Sequence, residues 1–142
     1  MTIDAANPVV ALCAAGMERE GTPAEARRLF EEAWAARRDD YDASVAAHFL
    51  ARHQATPAET LHWNALAVQH AEAVADGRAN ELLASLYLNV ADSYATVGQT
   101  DAAIAAADKA LRSLDLLPAA GYRDFIAMGV RRLRHRLGMN DA

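Results

Sequence analysis

The sequence predicts an all-α fold built from repeated helical hairpins, and three observations carry that prediction. The tetrapeptide Thr22-Pro23-Ala24-Glu25 returns as Thr56-Pro57-Ala58-Glu59, 34 residues later. A literal recurrence at this distance marks an internal repeat, and it matches the period of a helix–turn–helix unit that stacks into a solenoid. Hydrophobic residues make up 53% of the chain but aromatic residues only 6%, because alanine supplies most of the apolar content. Alanine has the highest helix propensity and lets helices approach closely. A strand-rich fold would draw on more Val, Ile, Thr and aromatics. The links between helical stretches are short, as antiparallel neighbours require.

Seven helices are legible in order. The first runs from about Pro8 to Arg19 and ends at Gly21. Thr22 caps the second, which reaches about Arg38. In both copies of the tetrapeptide, Thr is a good N-cap and Pro suits the first helical position. Glu three residues after the Thr completes a capping box. The run Asp39-Asp40-Tyr41-Asp42 opens the third helix, where negative charge suits a helix N-terminus, and that helix ends near Gln54. Thr56 caps a long fourth helix that continues to about Ala75, and Asp76-Gly77-Arg78 makes a turn. The fifth spans about Asn80 to Val97 and stops at Gly98. The sixth runs from Thr100 to about Leu116, stopped by Pro118. The seventh covers about Tyr122 to Leu137, with Gly138 as its C-terminal stop.

Charge and cysteine content narrow the function classes. The net charge of −5 is a poor footing for binding a nucleic-acid backbone. The single cysteine, Cys13, allows no internal disulfide and suits a reducing cytoplasm. Val9-Val10-Ala11-Leu12-Cys13 resembles a short export signal, but it lacks a basic leader, Asp4 being the only charge before it. No stretch approaches the apolar length of a membrane span, so no membrane is expected, and with no Gly-rich phosphate loop and no metal ligand set no cofactor is expected either.

The spacing of small residues refines the fold. Ala14, Ala26 and Ala33 stand at three fixed places around Gly21, with Phe30 between the last two. Ala91, Ala103 and Ala110 stand likewise around Gly98, with Tyr94 ahead of the glycine and Ala107 where Phe30 stood. This pattern resembles the tetratricopeptide repeat (TPR) family, and Ala107 is its one departure, being small where an aromatic is usual. The resemblance implies a right-handed α-solenoid of three TPR-like hairpins over about 7–40, 41–83 and 84–117. A capping helix over about 119–138 completes a single domain of seven helices. It also implies a concave groove lined mainly by the first helix of each hairpin, without naming a partner.

The second unit departs from the pattern twice. Ala55 and Gly98 are 43 residues apart, which lengthens the fourth and fifth helices by about a turn each and predicts a projecting hairpin. The places held by Ala or Phe elsewhere become His48, Thr60 and Asn64. A buried polar trio persists only if its members hydrogen-bond. It reads either as a satisfied core network or as the floor of a small-molecule pocket. A metal site has less support. The histidines at 48, 53, 62, 70 and 135 show no His-x3-His pair.

Helix periodicity places Asp42, Val45, Phe49, Arg52 and His53 on one stripe of the third helix. Ser85, Leu88, Asn89, Asp92 and Thr96 form the matching stripe of the fifth. Phe49 beside Arg52 reads as an anchor pair for a peptide, or as an aromatic packed between hairpins beside a solvated arginine. The places where one TPR subfamily clamps a C-terminal carboxylate hold Ala11, Val45, Leu88, Ala15, Phe49 and Asp92, so that clamp is absent. On the last helix Ile126, Val130, Leu133 and Leu137 form an apolar stripe. Arg123, Arg131, Arg132, Arg134, His135 and Arg136 make its basic face, read as solvated surface ahead of an acidic partner or nucleic acid. Trp63 and Tyr87 are either core or a self-association patch. No catalytic motif is present, and Cys13 has no histidine near it in sequence. The leading expectation is a cytoplasmic protein-interaction module binding a peptide or protein segment in the groove. The alternatives are a small-molecule or catalytic accessory protein using the second hairpin, and a self-associating scaffold such as a homodimer.

Overall fold

The computed structural model describes residues 6–117 and 120–139. Seven α-helices run in order: α1 (Pro8–Glu18), α2 (Pro23–Ala35), α3 (Asp40–Ala51), α4 (Pro57–Ala73), α5 (Asn80–Thr96), α6 (Thr100–Arg112) and α7 (Ala120–Arg136). A 3-10 turn at Leu114–Leu116 succeeds α6, and no strand forms among the described residues. The lengthening expected of the fourth and fifth helices is present. Each of α4 and α5 has 17 residues, against 13 in each of α2 and α6. Pro118, expected to stop the sixth helix, and Asp4 lie outside the described residues.

The helix ends show what the sequence signals do. Thr56 is extended at ψ 152°, and its Oγ1 accepts the Glu59 backbone N–H at 3.2 Å. Its hydroxyl in turn donates to the Glu59 carboxylate at 3.1 Å, so the box closes through the side chains. Thr22 sits at ψ 84° and makes no side-chain cap bond. Its backbone N–H is drawn to the Arg19 carbonyl at 2.8 Å, which continues the turn out of α1. The repeated tetrapeptide therefore starts two helices but caps only one. Gly98 (φ 82°) and Gly138 (φ 77°) close α5 and α7 in the left-handed region that glycine adopts without penalty. In each case the next residue's N–H reaches back five positions, Gln99 to Tyr94 and Met139 to Arg134, both at 2.8 Å.

The chain divides into two compact units between Ala75 and Asp76. In the first, α1 packs on α2, both pack on α3, and α4 packs on α3. Its core holds Val9, Val10 and Cys13 of α1, Ala26, Phe30 and Ala33 of α2, Val45, Phe49 and Leu50 of α3, and Ala67 and Ala71 of α4. In the second, α5 packs on α6 and both pack on α7. There Ala84, Tyr87, Val90 and Ala91 meet Ala103, Ala107 and Ala110, closed by Ile126, Val130 and Leu133. Each unit thus repeats one motif, a helical hairpin with the next helix packed on it, as in a helical repeat. Of the small residues of the spacing pattern, Ala26, Ala33, Ala91, Ala103 and Ala110 are fully buried, whereas Ala14 is half-buried.

Aromatic packing gives contacts to two residues that the sequence left open. Trp34 of α2 meets Trp63 of α4 edge-on at 5.1 Å, with Arg37 stacked 4.0 Å over the Trp34 ring. Trp63 is half-buried in that contact. Tyr87 is buried beneath α6, with Lys109 Nζ 5.7 Å from its ring centre. Burial pushes the Cys13 thiol up to about 12, so it carries no thiolate at neutral pH.

Candidate functional site

The ten residues of the two expected groove stripes are divided between the two units, five in each. In the first unit, three of them are buried. Asp42 is fully buried at the start of α3. It accepts from Asn7 Nδ2 at 2.8 Å, from the Arg38 backbone N–H at 3.0 Å and from Arg38 Nε at 2.9 Å. Burial alone would raise its pKa, but the bonds from Arg38 and Asn7 outweigh it and hold the carboxyl below its ordinary value. Asn7 is also the N-cap of α1, its Oδ1 accepting from Val9 and Val10. One buried cluster therefore ties the start of α1 to the start of α3. Val45 is buried, and Phe49, 3% exposed, stacks on Phe30 at 5.2 Å. The structure thus places Phe49 in the core and not on an open anchor surface. The helical stripe that the sequence assigned to a groove is the stripe by which α3 packs on α2. Arg52 and His53 remain near the surface and share Glu20, each at 2.9 Å from one carboxylate oxygen.

His48, Thr60 and Asn64 belong to the packed pair α3 and α4. Asn64 is buried, His48 and Thr60 are half-buried, and the His48 ring lies edge-on to Phe49 at 5.0 Å. Burial pushes the His48 pKa down to about 4, and the Arg52 charge adds to the shift. The imidazole is therefore neutral at pH 7. Among the described residues no group of three or more His, Cys, Asp or Glu could hold a metal ion.

In the second unit the expected residues Leu88, Asn89 and Asp92 line an open cleft of about 330 Å³ between α5 and α7, while Ser85 and Thr96 lie outside its lining. The cleft results from how α5 divides its surface. Tyr87, Val90 and Ala91 turn into the core, which leaves Leu88, Asn89 and Asp92 on the side facing α7. The opposite wall is Gly129, Arg132, Leu133 and Arg136, one stripe of α7 at helical spacing. Gly129 brings the helices close: a Cβ there would lie 2.6 Å from Leu88 Cδ2.

Charge is distributed unevenly within the cleft. Arg136 Nη1 donates to Asp92 Oδ1 at 2.7 Å and pairs the two walls. Arg134, on another side of α7, is held by Asp108 of α6 at 2.6 Å. Arg132 makes no hydrogen bond or ion pair among the described residues, and it lies exposed in the lining. The cleft therefore presents apolar walls from Leu88 and Leu133, polar groups at Asn89 and Asp92, and a cation, Arg132, that no described residue pairs. The sequence reading gave Arg132 and Arg136 to a solvated face and Leu133 to a core stripe. The signal that would have found the cleft is Gly129, a glycine in mid-helix, where close approach of another element is the usual reason. Among the described residues no helix is long and apolar enough to cross a membrane. No family model, curated protein or solved structure matches the chain.

Proposed function

We propose that this chain is a TPR-type protein-interaction module and that the α5–α7 cleft receives a short peptide segment. The observation that carries this is the cleft lining, in which leucines, an amide and an exposed arginine converge on one open channel. An apolar side chain of the segment rests on Leu88 and Leu133, and Arg132 takes a carboxylate. The TPR assignment rests on the small-residue register and on the hairpin-plus-helix packing found in each unit. The reading places the module in the cytoplasm, where a lone reduced thiol such as Cys13 persists.

The test uses a random peptide display library selected on the immobilised full chain. Selected peptides are measured by fluorescence anisotropy against wild type and an Asp92→Ala, Arg132→Ala variant. Both positions are exposed, and the Asp92–Arg136 pair is a surface ion pair worth less than about 1 kcal/mol, so the variant keeps its fold. The expected result is a loss of affinity of about tenfold or more, the loss of one strong contact. Selected peptides that bind the variant as tightly as wild type would overturn the assignment of the cleft.

A further inference from the structure

We infer that Asp92 is the specificity-determining residue of the α5–α7 cleft, and that through it the cleft accepts a singly charged carboxylate and turns away a doubly charged phosphate. The inference rests on the reading of that cleft as a peptide site and names the charge of the residue it takes. Its starting point is the way the two walls meet. Leu88 of α5 lies against Gly129 of α7, where a Cβ would come within 2.6 Å of Leu88 Cδ2. Further along both helices, Asp92 Oδ1 accepts from Arg136 Nη1 at 2.7 Å. The two contacts climb α5 and α7 in the same direction, so the helices run parallel and the cleft lies along them. One end is narrowed by the leucine over the glycine, and the other is bridged by the ion pair. At 1.5 Å per residue, the α7 wall from Gly129 to Arg136 is about 10 Å long. Asn89, Arg132 and Leu133 complete the lining between those ends.

Charge in this short slot comes from three residues of the lining, Asp92, Arg132 and Arg136. Arg134 is turned to Asp108 of α6 and takes no part. Arg132 and Arg136 stand one helical turn apart on the same stripe, as neighbours at i and i+4 do. Two guanidinium groups so placed make a clamp for a phosphate, whose three free oxygens can take donors from both. Asp92 dismantles the clamp. Nη1 of Arg136 goes to its carboxylate, and Nη2 lies 3.4 Å from its backbone carbonyl. Among the described residues, that leaves Arg132 as the cation of the lining without a partner.

The balance then favours one negative charge. A carboxylate on Arg132 brings the lining to neutrality and uses two parallel N–H donors of a single guanidinium. A phosphorylated side chain carries close to two negative charges at neutral pH and leaves the lining negative. It can recruit Arg136 only by displacing Asp92. The Asp92–Arg136 pair is exposed and itself worth little, so the displacement is easy. Its consequence is not: the displaced carboxylate stays fixed to the α5 wall, unpaired, beside the incoming phosphate. Discrimination therefore comes from the charge of Asp92 and not from the strength of its bond.

The probes are two versions of each peptide selected on the immobilised chain, one carrying its own Asp or Glu and one with phosphoserine in its place. Affinities are read by anisotropy at about pH 8, where the phosphate is a dianion. The full chain is used in four forms: wild type, Arg132→Ala, Asp92→Ala, and Asp92→Ala with Arg136→Ala. All three positions are exposed, and an unchanged melting temperature checks the fold. Wild type should bind the carboxylate version more tightly. Asp92→Ala should shift the ratio about tenfold toward the phosphoserine version, the gain of one charge-assisted contact. The double variant has the net charge of the wild type and no second arginine, so the shift should disappear. Three results would overturn the proposal: a phosphoserine version that binds wild type as tightly as its carboxylate parent, a ratio unmoved by Asp92→Ala, or a shift that persists without Arg136. Arg132→Ala separates this failure from failure of the site itself. Peptides weakened by Arg132→Ala but with an unmoved ratio overturn the charge selection alone. Peptides that lack an acidic residue, or that are indifferent to Arg132→Ala, overturn both the charge selection and the peptide site.

Discussion

Gly16→Ala gives opposite answers when read from the sequence and from the structure. Gly16 lies inside α1, where replacing glycine by alanine should stabilise the helix by about 0.5–1 kcal/mol. The structure reverses the sign. A Cβ at Gly16 would lie 2.8 Å from Cδ1 and 2.9 Å from Cζ of Phe30, and nearer still to Cε1. Those distances lie well inside van der Waals contact, so the ring must move. Phe30 has no room to move into: it is fully buried, with Phe49 stacked on it at 5.2 Å and His53 at 5.4 Å. Forcing a methyl group into such a site costs about 1–3 kcal/mol, so a net loss of about 1–2 kcal/mol is expected after the helical gain. Urea denaturation monitored by circular dichroism reads this as a lower midpoint at unchanged slope. A double-mutant cycle isolates the cause. In a Phe30→Ala background the clash is gone, and Gly16→Ala should recover the stabilising sign. A stabilising Gly16→Ala in the wild-type background, or the same loss in both backgrounds, would refute the reasoning.

Three further outcomes rest on particular contacts. Asp42→Ala should lower stability by about 2–3 kcal/mol, since it removes the acceptor of Asn7 and of both Arg38 bonds; a denaturation midpoint near wild type would contradict the buried cluster. The depressed His48 pKa makes the folded state bind fewer protons than the unfolded chain between about 6.5 and about 4. Stability is therefore full above pH 6.5 and falls at up to about 1.4 kcal/mol per pH unit down to about 4, and a His48→Gln variant should flatten that slope in pH-dependent melts. Thr56→Ala should cost about 1 kcal/mol and Thr22→Ala only a few tenths, because only Thr56 makes a cap bond; equal losses in the two melting curves would contradict the difference.

The fold was legible because its determinants are local. Caps, stop glycines and a helical period act within a few residues, so the order of the seven helices and the extra turns in α4 and α5 are set by short stretches of sequence. The site was less legible because helical periodicity shows that two stripes differ, without showing which neighbour covers each. The Val45–Phe49 stripe and the Leu88–Asp92 stripe occupy equivalent places. The first is closed by Phe30, and the second, with Leu88 on its own wall, opens toward Gly129. That difference depends on side chains distant in sequence. Asn7 was missed for a similar reason. A cap residue is recognised by the helix it begins, whereas the amide–carboxylate bond to Asp42 spans 35 residues.

Ala107 shows how such distant dependence can be recovered from the repeat. Read alone, it is a departure, small where Phe30 is large. In the same register Gly16 corresponds to Ser93, which is buried as Gly16 is. The first hairpin thus sets a glycine across from a phenylalanine, and the third sets a serine at the place equivalent to the glycine and an alanine at the place equivalent to the phenylalanine. The bulk missing from one helix is partly returned by its neighbour, as close packing at fixed helix spacing requires. Read this way, a departure compensated at the facing place is structural, and Ala107 is of that kind.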